Sequence, residues 1–127
     1  MSASCRTVLI VEDSPVQALA LQQLLEDKGL RVFQAADAST GIALAEKHVP
    51  DVIILDIEMP VIDGIETLRR LKANPLTRDV PVVILTAHGR AQLARQGLEL
   101  GVVDFIPKDA FSDKVLLETL RQLGVLS

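Results

Sequence analysis

Val8-Leu9-Ile10-Val11, Val52-Ile53-Ile54-Leu55 and Val82-Val83-Ile84-Leu85 decide the fold. Each is a continuous apolar run, rich in β-branched residues and with no polar member to turn toward water. Runs of this kind fit strands covered on both faces, which are the strands of a parallel sheet. Two further runs mix in polar residues: Arg31-Val32-Phe33-Gln34-Ala35 and Val102-Val103-Asp104-Phe105-Ile106. They read as strands nearer an edge.

Helical periodicity fills the stretches between these runs. Ala18, Leu21 and Leu25 share one helical face, with Leu24 beside them, and Ala38, Ile42, Ala45 and Val49 repeat the spacing. Ile65, Leu68 and Leu71 form a shorter stripe, followed by Leu93, Gly97 and Leu100, and then by Leu116, Leu120 and Leu123. Ser14 before Pro15 predicts a helix N-cap and first helical residue. Asp37 and Ser112 are placed to cap the second and last helices, and Gly29 to end the first. Asp63-Gly64 reads most simply as a turn that starts the third helix, and Met59-Pro60 as loop packing.

The order is therefore strand-helix five times over. Strict alternation implies a parallel sheet with helices on both faces, and right-handed crossovers restrict its topology. With the three apolar strands central and the two mixed ones at the edges, the expected strand order is 2-1-3-4-5. In such a sheet a ligand site lies beyond the carboxyl ends of the first and third strands, where the order reverses.

Composition limits the alternatives. The chain has 127 residues, a formal net charge of −4, and apolar residues at 49% against 24% charged, which is globular. One domain spanning 1–127, with a core from about 7 to 123, is expected. The mild acidity and the absence of a clustered basic run argue against direct nucleic-acid binding. With three Phe and no Trp or Tyr, a stacking platform for bases or a flavin ring is not expected. Cys5 is the single cysteine and has no internal disulfide partner, so a reducing, cytoplasmic setting is the simpler home. No apolar stretch approaches a membrane span, and Met1-Ser2-Ala3-Ser4 does not read as a signal peptide.

The residues that follow the strands carry the chemistry. Glu12 and Asp13 follow the first, Asp56 ends the third, Thr86 ends the fourth, and Lys108 follows the fifth. The topology brings three carboxylates, a hydroxyl and an ammonium to one end of the sheet. Neighbouring acids repel without a cation, and Mg2+ commonly takes one or two carboxylates while sharing oxygens with a phosphate. Lys108 and Thr86 suit phosphoryl oxygens, and an aspartate can act as nucleophile to form an acyl phosphate. Singly, each residue has an ordinary explanation: Asp13 in a turn, Glu12 or Lys108 solvated, Asp56 capping a turn, Thr86 in a strand, His88 exposed. The weight lies in their joint placement.

With those residues in hand, the chain resembles the receiver domains of bacterial two-component systems. The resemblance rests on Val11-Glu12-Asp13-Ser14, Asp56-Ile57-Glu58-Met59-Pro60 with Asp63-Gly64, Leu85-Thr86-Ala87 and Phe105-Ile106-Pro107-Lys108, and covers about Thr7 to Leu123. It implies a flavodoxin-like doubly wound (βα)5 sandwich and a signalling role as phosphoacceptor, not a metabolic enzyme. By the same resemblance Asp56 accepts the phosphoryl group. Glu12, Asp13, Asp56 and the Glu58 carbonyl surround magnesium, Lys108 contacts the phosphoryl group, and Thr86 is the switch hydroxyl. Phe105 stands at the position of the switch aromatic, though as a residue it equally suits the core. Side chains at Glu58 and His88 are placed to tune phosphoryl lifetime. The implied donor is a histidine kinase or histidine phosphotransfer protein. The implied face for a downstream protein target joins the fourth helix, fifth strand and fifth helix, from about Arg90 to Leu123, and a homodimer is compatible with it.

One departure stands out. The family usually places proline after the lysine, with a cis bond; here Asp109 follows Lys108. A cis bond before a non-proline residue costs about 3–4 kcal/mol, so a trans Lys108–Asp109 bond and an altered loop are expected. Asp109 also adds negative charge near the site.

Three other readings compete. In a phosphohydrolase of the haloacid-dehalogenase kind the nucleophile follows the first strand, whereas Asp56 follows the third. A flavodoxin-like cofactor carrier wants a phosphate-cradling loop where Glu12 and Asp13 stand, and no glycine-rich nucleotide fingerprint is present. A pseudo-receiver that docks partners without phosphorylation is favoured only by the missing proline.

Overall fold

The computed structural model describes residues 6–56, 61–86, 99–108 and 112–126, with side chains at all of these except Asp56, Val61, Ile62, Asp63 and Thr86. Its strands are β1 (Thr7–Val11), β2 (Arg31–Ala35), β3 (Val52–Asp56), β4 (Val82–Thr86) and β5 (Asp104–Pro107). The helices are α1 (Pro15–Glu26), α2 (Ala38–His48), α3 (Val61–Ala73) and a last helix, Ser112–Gln122. All strand pairs are parallel, in the order β2-β1-β3-β4-β5. The three apolar runs form the centre and the two mixed runs the edges, as their composition predicts.

Strand alternation sorts the core into two layers. Leu9, Val11, Ile53, Leu55, Val82 and Ile84 face α2 and α3 and pack with Ala45, Ile65, Leu68 and Leu71. Val8, Ile10, Val52, Ile54, Val83, Leu85 and Ile106 face the other way, onto Leu25 of α1 and onto Leu116 and Leu120 of the last helix. Because both faces are covered, the strand ends are left as the places where polar side chains meet water.

The caps follow the expected chemistry. Ser14 is the N-cap of α1, with Pro15 as its first helical residue, and Asp37 is the N-cap of α2, its Oδ1 accepting from Thr40 N–H at 2.8 Å. Gly29 turns the chain out of α1 with φ +87°, a conformation costly for side chains bearing Cβ. Gly41 allows α2 to lie against β1. A Cβ built there falls 2.9 Å from Val11 Cγ2, so the close approach of helix to strand depends on its absence.

Several boundaries differ from expectation. Val49 does not join the buried stripe of α2; it is 48% exposed and ends that helix in the left-handed region, with φ 41°. α3 begins at Val61, so Asp63 and Gly64 lie inside its first turn and not in a turn before it. The run at Val102 enters the sheet later than its apolar residues suggest: Val103 N–H donates to Val82 O, but the ladder begins at Asp104. Ser112 is the first residue of the last helix, not the residue preceding it. Leu93 and Gly97 lie outside the described residues, as does the expected fourth helix; Leu100 is half-buried against the layer that holds α3.

Candidate functional site

β1 runs buried to its end and delivers Glu12 at the carboxyl edge of the sheet. The residue is anchored by its own backbone, whose N–H donates to Ala35 O at 2.9 Å, and is only 4% exposed. A carboxylate so deep needs partners. Its Oε1 accepts from Ser14 N–H at 3.0 Å, and its Oε2 accepts from Lys108 Nζ at 3.3 Å. This joins the start of α1 to the residue after β5. Asp13, next along, is exposed.

β3 lies between these partners. Val11 is in register with Leu55, so the carboxyl ends of β1 and β3 run side by side, and Asp56, the last residue of β3, is in register with Leu85. Thr86 ends β4 opposite Pro107, which places it one strand over from the approach to Lys108. The sequence-predicted residues Glu12, Asp13, Asp56, Thr86 and Lys108 therefore all sit at the same end of the sheet, around the β1–β3 reversal. Glu58, His88 and Asp109, with the Lys108–Asp109 bond, lie outside the described residues. Phe105 is half-buried on β5 and packs against the layer under α2 and α3. Its neighbour Asp104 accepts from Thr119 Oγ1 at 2.9 Å, tying β5 to the last helix.

Gln17 is the contact that sequence reading missed. Lys108 Nζ donates to its Oε1 at 2.5 Å. The signal was present in Ser14-x-x-Gln17, the spacing of a capping box at a helix start. A cavity of about 350 Å3 opens beside this contact, between α1 and the last helix, lined by Glu12, Gln17, Leu21, Leu85, Lys108 and Ser112 among others.

The donor chemistry fits a hard divalent cation. Both Glu12 oxygens keep a second lone pair after the bonds just described, and Asp13 offers an open carboxylate beside it. Among the described residues no three acidic, His or Cys side chains form a metal-holding group, and the side chain of Asp56 is not among them.

The model of the response regulator receiver domain matches residues 8–121. The chain belongs to the response regulator receiver domain family. Response regulator PleD of Caulobacter vibrioides is 38% identical over 117 residues, covering 91% of this chain and 25% of PleD. Protein PilH of Pseudomonas aeruginosa is 34% identical over 114 residues, covering 90% of this chain and 93% of PilH. The chemotaxis response regulator CheY4 of Vibrio cholerae superposes with a TM-score of 0.83 at 30% identity, covering 94% of this chain and 99% of that one. This receiver thus has the flavodoxin-like fold that its strand order implied, and signal transduction as its field. It spans about a quarter of PleD and about half of the transcriptional regulator RpaA of Synechocystis. Among its described residues no helix is long and apolar enough to cross a membrane.

Proposed function

We propose that this receiver is a phosphorylatable switch that takes a phosphoryl group onto Asp56 from a phosphohistidine of a kinase or phosphotransfer protein. The pairing of the buried Glu12 with the partly buried Lys108 carries this reading: an acid following β1 and an ammonium following β5 meet at the sheet end where β3 closes with Asp56. A carboxylate oxygen of Asp56 attacks phosphorus, the P–N bond breaks, and the imidazole leaves with the electron pair and takes up a proton. Transfer of this kind needs positioning and charge neutralisation more than acid–base work. Lys108 donates to the phosphoryl oxygens, and Thr86 supplies a hydroxyl to the same group. Glu12, Asp13, Asp56 and the Glu58 carbonyl would hold Mg2+, which when bound offsets the charge of the acids and of the phosphoryl oxygens.

The same reading makes Thr86 and Phe105 the switch pair. It makes the surface from about 90 to 123 the face for a downstream protein target, and a cytoplasmic setting the place of work. Glu58 and His88, two residues past Asp56 and Thr86, set phosphoryl lifetime by gating or orienting the attacking water; an unaltered dephosphorylation rate in the double alanine variant would overturn that role. Asp109, in place of the usual proline, goes with a trans Lys108–Asp109 bond.

The experiment is incubation with magnesium and a small acyl phosphate or phosphoramidate, followed by weighing the intact protein beside Asp56→Asn. A magnesium-dependent gain of one phosphoryl mass, absent from the variant, is expected. No gain with the small donor or with a phosphohistidine protein would replace the switch by a docking module that works without phosphorylation.

A further inference from the structure

The capping of α1 bears on how Lys108 is held. In a capping box the N-cap side chain accepts from the N3 backbone, and the N3 side chain reaches back to the N-cap backbone N–H. Only the first half is made here: Gln17 N–H donates to Ser14 Oγ at 3.4 Å. The second half belongs to Glu12, whose Oε1 takes the Ser14 N–H. Glu12 thereby releases the Gln17 amide from its local partner, and the amide turns across the sheet end to accept from Lys108 Nζ.

We propose that Gln17 is a positioning residue for Lys108, fixing the ammonium at the carboxyl end of the sheet before a phosphoryl group arrives. The inference rests on the phosphoacceptor reading of Asp56. An amide suits the task because it accepts strongly without adding another negative charge beside Glu12 and Asp13. A carboxylate at the same place would pair with the lysine and compete with phosphoryl oxygens. An apolar side chain would give up this anchor on a long side chain whose ordering is costly in rotamer freedom. Gln17 is exposed but held at its backbone by the Ser14 cap, so the reach of its amide starts from a fixed point at the helix start.

The test uses Gln17→Met and Gln17→Leu, which keep helix propensity but remove the acceptor. In proton–carbon correlation spectra of the unphosphorylated protein with magnesium, the two Lys108 ε-methylene protons are expected at separate shifts in the wild type and merged in both variants. Phosphorylation by the small phosphoramidate is expected to slow by about three-fold or more, as for loss of a positioning contact, with the magnesium midpoint unchanged. Separate shifts and a wild-type rate in both variants would overturn the proposal. So would a magnesium midpoint that moves with the rate, because the effect would then lie on the acids and not on the lysine. If the wild type takes up no phosphoryl group, the phosphoacceptor reading fails by itself, and the Lys108 spectrum still decides whether Gln17 holds the lysine.

Discussion

Val49 holds a backbone that its side chain resists. A β-branched residue at φ 41° is a genuine outlier, and left-handed backbone costs an L-residue about 1–2 kcal/mol. The side chain is 48% exposed, so little burial offsets that cost. Val49→Asn is expected to stabilise the fold by about 1 kcal/mol, because asparagine tolerates this region; a denaturant midpoint that stays put or falls would count against it. Periodicity placed Val49 on the buried stripe because spacing alone does not register where a helix stops. The same limit hid Gln17, whose spacing spelled a cap but whose partner is far away in sequence. Glu12, Asp13 and Lys108 were legible because they directly follow strands, where alternation and sheet order dictate position.

At the level of elements, α2 offers two tests. Gly41→Ala gains helix propensity of about 1 kcal/mol but drives a methyl into Val11, whose stiff χ1 gives little room. The net expectation is a loss of about 1 kcal/mol, since overpacking typically costs about 1–3. In a Val11→Ala background the clash is gone and Gly41→Ala is expected to stabilise, a reversal of sign that a thermodynamic cycle would detect. The second test is the N-cap. The Thr40 N–H, with a lesser contribution from the Thr40 side chain, holds the Asp37 carboxyl below its ordinary value. A carboxyl depressed in the folded state binds protons more tightly when unfolded. Its contribution is full above the unfolded value of about 3.9 and is lost as pH falls through the lower folded one. Asp37→Asn keeps an acceptor oxygen without the charge. The melting-temperature difference between wild type and this variant is therefore expected to be flat near neutrality and to move against the wild type in acid. The start of α3 was misread for a related reason: Asp-Gly is a turn signal in isolation, but tertiary packing of Ile65, Leu68 and Leu71 carries the helix back through it to Val61.

For the molecule as a whole, strand order was the most legible feature. Three uninterrupted apolar strands can only be central in a sheet covered on both faces, and the mixed runs with Arg31 and Asp104 can only be edges. The join at β5 was less legible, because Val102 is buried without belonging to the ladder. The proposed gathering of acids has a global consequence. A ligand that binds only the folded state raises stability by RT ln(1 + [L]/Kd), about 2.7 kcal/mol at a hundred-fold excess over Kd. Magnesium is expected to raise the melting temperature measured against chelator. Asp56→Asn is expected to melt higher than wild type in chelator, through relief of repulsion, and to lose most of the magnesium-induced rise. An equal magnesium response in the two proteins would place the cation elsewhere.

The Glu12–Lys108 bridge spans 96 residues of chain, and that separation gives the site a time of arrival. Chains emerge from the ribosome N-terminus first. Glu12, Asp13 and Asp56 are all synthesised before the lysine that pairs with Glu12. A nascent receiver that has folded its first strands holds the acids together without their ammonium, and contacts so distant in sequence close late. On the proposed reading, competence to take up a phosphoryl group is then the last property the domain acquires. On the reading proposed above, a chain cut short before β5 would carry Asp56 and still take up no phosphoryl group.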